Sequence, residues 1–159
     1  MNTSLAPKSR TGSRVVLAFL LPLAALTSTA QASIRWATLE AIHHLENPRN
    51  LTRPGPRGEL GAYQFRSSTW RMHTEIPFRQ AIERTASDIV AVKHYDWIHR
   101  GLARAGVPVT PYNIALAWNG GLAATITGRA PAAAHDYASR AANLAVIFDQ
   151  QTRQIASAN

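Results

Sequence analysis

Residues 34–46 read IRWATLEAIHHLE and run directly into Asn47-Pro48 and the turn-rich loop NPRNLTRPGPRG. Leu39, Ile42 and Leu45 recur at helical spacing, which predicts an amphipathic helix over 34–46. Asn47-Pro48 ends it, because the residue before a proline is pushed out of the helical region. Everything else is read outward from this helix and its abrupt stop.

After the loop, Glu59 to Phe65 (ELGAYQF) carries aromatic residues beside Gly58 and Gly61, which predicts a short β-hairpin or extended insert. Ser67 or Ser68 is placed to cap a short helix through Trp70 and Met72. Residues 79–105 are expected to be mainly helical, with Ile82, Ile89, Val92, Trp97, Ile98 and Leu102 as core, ending at Gly106 and Pro108. Thr110-Pro111 opens another helix with a capping hydroxyl and a first-turn proline, and Gly120-Gly121 stops it. Pro131 opens the last helix, with Tyr137, Ala141, Leu144 and Phe148 on one face. The expected fold class is mainly α: a single helical domain over 33–159 with one small extended insert.

Residues 1–32 read as a signal peptide. Lys8, Arg10 and Arg14 form a basic start, Val15 to Leu26 an apolar run, and Ala30-Gln31-Ala32 a small-x-small cleavage site. The run is interrupted by Pro22 and falls short of the roughly 20 apolar residues of a membrane span. The expectation is therefore an exported protein, in the periplasm or outside the cell, with no stable membrane span once the leader is removed. The chain has no cysteine, which excludes disulfides, thiolate metal sites and a cysteine nucleophile. Without the leader, 14 basic residues face 9 acidic ones, a balance that favours an anionic partner.

Glu46 is the residue that points to chemistry. At about 100° per residue it lies about 40° from Ile42 and about 20° from Leu39 around the helix axis. It therefore projects from the apolar face, whereas Glu40 lies about 120° away and reads as an ordinary surface acid. A carboxylate at the end of an apolar stripe, just before a loop, sits at the lip of a cleft. Partial burial there disfavours its charge, raises its pKa and suits it to general acid catalysis.

The stretch HLENPRNLTRPGPRGELGAYQFRSSTW (44–70) resembles the active-site region of the lysozyme-like superfamily, specifically the soluble lytic transglycosylases. The matching features are Glu46-Asn47, then Gly61-Ala62-Tyr63-Gln64-Phe65, then Ser68-Thr69-Trp70. Farther on, Ala117-Trp118-Asn119-Gly120-Gly121 is similar to the family's Ala-Tyr-Asn-x-Gly helix, with Trp in place of Tyr, and Pro131 to Tyr137 is similar to its closing helix. The sequence departs at Asn47, where the family commonly has serine, and in the proline-rich loop carrying a second acid, Glu59.

The resemblance implies a lysozyme-like domain that cleaves the peptidoglycan bond between N-acetylmuramic acid and N-acetylglucosamine. Glu46 would be the single catalytic acid. Tyr63, Gln64, Trp118, Asn119 and Tyr137 would bind substrate, with Tyr63 and Trp118 as sugar platforms. Glu59 is either the second carboxylate of a hydrolytic muramidase or a solvated residue paired with Arg57 or Arg66. A glycan-binding module without catalysis is the third reading. No cofactor or metal is expected: His43 and His44 point about 100° apart on a helix and cannot chelate together. Nor is nucleic acid an expected partner, since the arginines are dispersed and no binding motif is present. The expected partner is the peptidoglycan glycan strand, bound by a monomer.

Overall fold

A computed structural model describes residues 21–158 of the chain. The basic start of the expected leader and the first part of its apolar run lie outside the described residues. Six α-helices follow one another: α1 (Leu21–Glu46), α2 (Ser67–Arg71), α3 (Arg84–Arg104), α4 (Pro111–Gly120), α5 (Leu122–Ile126) and α6 (Ala132–Ala158). A 3-10 helix, Phe78–Ile82, precedes α3. The fold is mainly α, as the periodicity predicts. None of the described helices is long and apolar enough to cross a membrane.

The first helix ends at Glu46 as expected but starts at Leu21, well ahead of Ile34. It runs unbroken through Ala30-Gln31-Ala32, whose small and straight-chain residues favour helix. Ser33 ties this region to the last helix by donating its hydroxyl proton to Asp149.

The main core gathers Leu39 and Ile42 of α1, Phe65 and Trp70, Val90, Ile98 and Leu102 of α3, and Ile114 of α4. Trp70 is fully buried, and its indole N–H reaches the carbonyl of Ile76 at 2.6 Å. Truncating a core tryptophan of this kind typically costs about 3–5 kcal/mol. A second cluster sets Ala115 and Leu116 of α4 against Ala134, Tyr137, Ala138 and Ala141 of α6. Ala37 and Ala41 of α1 meet Ala145 of α6 in a third. With methyl groups at these contacts, α6 can come close to both α1 and α4, because interaxial distance follows side-chain size. That closeness brings Tyr137 to the end of α1.

Several local expectations are corrected. The β-hairpin insert is a single antiparallel bridge between Leu60 and Phe65, and no strand or sheet forms among the described residues. The reason is the tight turn between them: Gly61 (φ 79°) and Gln64 (φ 45°) both take left-handed backbone, so the chain reverses before a ladder can grow. Neither Ser67 nor Ser68 caps α2. Arg66 holds the cap position without a side-chain bond, and the Ser67 hydroxyl is buried without a partner. In α3 the buried face is Val90, Ala91, His94, Tyr95, Ile98 and Leu102. Ile89, expected in the core, is 48% exposed, and Ile82 lies at the surface as well. Val92 and Trp97 pack only partly buried against the core. At α4 the sequence reading holds: Thr110 accepts from the Asn113 N–H, Pro111 follows, and Gly121 (φ 90°) ends the helix.

Candidate active site

The site is built where α1 stops. The Asn47 N–H closes the last turn on the His43 carbonyl at 2.9 Å. Its side chain then clamps the loop: Nδ2 donates to the carbonyls of Leu51 (2.9 Å) and Gly61 (3.1 Å), and Oδ1 accepts from the Leu51 N–H (2.9 Å). A serine hydroxyl could not hold three such partners, which gives the departure at Asn47 a local structural reason. On the other side, His43 reaches the Asn50 amide oxygen at 3.1 Å and lies beside Arg84, which also bridges Glu40 and Asp88. The helix end that carries Glu46 is thus fixed on two sides.

The Glu46 carboxylate accepts a hydrogen bond from the Tyr137 hydroxyl at 2.8 Å, across from α6. Burial is the main influence on it and pushes its pKa above the ordinary value. The Tyr137 bond opposes that push, and the charge of Glu59 adds to it. Tyr137 itself is raised by burial and by the same carboxylate, so its hydroxyl keeps its proton. One oxygen of Glu46 is therefore held by a fixed donor.

Glu46 lines a cleft of ≈ 710 Å³ together with Glu59, Gln64, Trp118 and Asn119, within the usual range for ligand sites of about 300–1,000 Å³. Gly120 and Gly121 continue the wall past Asn119 with no side chain to fill it. A neighbouring hollow of ≈ 500 Å³, bordered by Leu51 and Arg53, shares Glu46, Pro56 and Gln64 with the first. Gln64 donates its amide to the Gly61 carbonyl at 3.0 Å, which fixes it at the junction of the two.

Trp118 is half-buried. Its ring packs on Phe65 (5.5 Å), Tyr63 (6.0 Å) and His94 (4.7 Å) while lining the cleft. Two sequence assignments change. Tyr63 is 4% exposed and does not line the cleft. The tight turn directs its ring into the core, and its hydroxyl donates to Asp88 at 2.8 Å. Tyr137 also lies beneath the surface and meets Glu46 instead of the open cleft. Glu59 lines the cleft, and its side chain, 16% exposed, has both of the arginine neighbours that the sequence offers it. The Arg57 N–H reaches it at 2.8 Å, and Arg66 pairs with it at 3.6 Å. Burial pushes the Glu59 pKa up, but the backbone donors and the two arginines outweigh it, and the net shift is downward.

The sequence reading missed His94, which also lines the cleft. Its signal was available: Val90, His94 and Ile98 step by four along one face of α3.

The arrangement places a carboxyl whose pKa burial raises and a carboxyl whose pKa its donors lower on one polar cleft with a half-buried tryptophan. Two carboxyls with opposite shifts are suited to acid–base chemistry. No family model, curated protein or solved structure matches this chain.

Proposed function

We propose that this protein is an exported peptidoglycan-cleaving lytic transglycosylase with Glu46 as its catalytic acid and base. The observation that carries this reading is Glu46 itself: the helix-end carboxyl has its pKa raised by burial, is oriented by Tyr137 and lines the cleft. In the proposed reaction Glu46 gives its proton to the glycosidic oxygen between N-acetylmuramic acid and N-acetylglucosamine as the C1–O bond breaks. The resulting carboxylate takes the proton of the muramyl C6 hydroxyl, whose oxygen bonds to C1. The product is a 1,6-anhydro-muramyl end, no water is consumed, and Glu46 is protonated again. Gln64 and Asn119 supply polar contacts to the sugars, and Trp118 supplies an apolar edge.

A specific observation supports hydrolytic muramidase as the second reading. Glu59 lines the same cleft, and its carboxyl is held below the usual range while that of Glu46 is pushed above it. Two carboxyls whose environments drive them apart suit a division into acid and base or nucleophile. Mass analysis of purified peptidoglycan digests separates the readings. Anhydro ends are expected, reducing ends would replace the first reading by the second, and binding without products would leave a glycan-binding module.

A further inference from the structure

His94 stands on the floor of the cleft without a role in the reaction above. It is 7% exposed, and its Nδ1 lies 2.9 Å from Nε2 of His73. Its ring stacks on Trp97 at 5.5 Å with a 10° interplanar angle and meets Trp118 edge-on at 4.7 Å. The orientation of the ring is thus fixed by three neighbours. Its other nitrogen, Nε2, has no hydrogen-bond partner within the described residues. Nor is Nε2 sealed from solvent, since Ser67 Oγ is the one fully buried, unpartnered side-chain polar atom among them. A ring held in one orientation, mostly buried and lining a cleft, leaves this nitrogen open to a ligand group.

We propose that His94 is a specificity-determining residue that hydrogen-bonds, through Nε2, the 2-acetamido group of the hexosamine bound next to Trp118. The inference rests on the glycan-cleaving reading and adds to it the residue that reads the acetamido substituent. An acetamido group has an amide to pair with a neutral imidazole and a methyl to lie against the indole edge. Burial holds the His94 imidazole neutral, at a pKa of about 3, with the neighbouring His73 adding to the effect. A neutral ring can donate to or accept from an amide according to its tautomer, and it gives no electrostatic preference for the carboxylates of the polymer. A free amine in place of the amide has neither the carbonyl nor the methyl that these contacts would use.

The test uses tetra-N-acetylchitotetraose and its fully de-N-acetylated counterpart as probes, with binding read by NMR on the protein labelled with ¹⁵N in histidine and tryptophan. The acetylated probe is expected to shift both the His94 Nε2 and the Trp118 indole signals, and the de-acetylated one to bind at least about tenfold more weakly. Two variants divide the ring. In His94→Asn the amide occupies the Nδ1 position and keeps the His73 contact but not the cleft-facing atom. In His94→Gln the amide reaches the Nε2 position. Asn is expected to lose about tenfold in affinity and most of the preference for the acetylated probe, and Gln to retain both largely. A shift at Trp118 with none at His94, or equal affinity for the two probes, overturns the inference and leaves the glycan reading standing. No binding of either probe or of peptidoglycan overturns both. If the variants do not fold, the wild-type histidine signal alone decides.

Discussion

At the scale of single residues, function turns on how the interior prices a charge. Burial raises the Glu46 pKa in the folded chain, so the folded chain keeps a proton that the unfolded chain releases at lower pH. Its contribution to stability is full below the ordinary carboxylate range and is lost as pH rises through its raised value. Glu46→Gln is expected to remove that loss and to cut cleavage by at least about 10²–10⁴-fold. Turbidity loss of purified peptidoglycan and a thermal melt at several pH values check both parts. On the proposed mechanism, the alkaline limb of the wild-type pH–activity profile should report the same proton. Tyr137→Phe removes a bond that lowers the Glu46 pKa, so the limb should move to higher pH. Glu59→Gln removes a charge that raises it, so the limb should move to lower pH. A limb that stays in place in both variants would assign the proton to another group. His94 works in the opposite sense. It is held near 3 when folded, against about 6.5 when unfolded, so stability is lost as pH falls from about 6.5 toward 3. Acid titration of the melting temperature should show this slope and should show it flattened in His94→Gln.

At the scale of elements, the turn between Leu60 and Phe65 shows what a sequence can and cannot say. The end of α1 was legible because Pro48 and the apolar stripe act locally, and so was the start of α4, where Thr110-Pro111 carries both capping signals. The Tyr63 ring direction was not, because the turn and the partner Asp88, distant in sequence, decide together which way an aromatic points. The face of α3 was legible at Ile98 and Leu102, which are buried, but not at its start: Ile89 is as apolar as Val90, and only packing against α1 and α4 chooses between them. The spacing of Val90, His94 and Ile98 marks His94 as inward-facing, but nothing local to α3 says that this face ends at a cleft. The bridge also fixes a prediction. A side chain at Gly61 would collide with the Ala81 carbonyl and Ser87 Oγ, whereas one at Gly58 would meet open space, although both residues have φ near +79°. Gly58→Ala should cost about 1 kcal/mol from backbone strain alone, and Gly61→Ala about 3 kcal/mol or more. Urea denaturation of the two variants measures the difference, and equal costs would mean that the turn yields without strain.

At the scale of the whole molecule, α1 connects the last part of the expected leader to the Glu46 carboxyl through one continuous helix. If processing follows Ala32, the exported protein should begin at Ser33, the residue whose hydroxyl already meets Asp149 on α6. N-terminal analysis of protein recovered outside the cytoplasm checks this, and a start well before Ser33 would remove the signal-peptide reading. The bond to Asp149 would then hold the new end of the chain against α6.

The two hollows that share Glu46, Pro56 and Gln64 have a consequence for the order in which a polymer is dismantled. On the proposed glycan-cleaving reading, a strand lying in both hollows would present an interior bond to Glu46, which stands where they meet. An enzyme of that kind would shorten its polymer before releasing fragments: mean strand length would fall early, while soluble sugars would accumulate late.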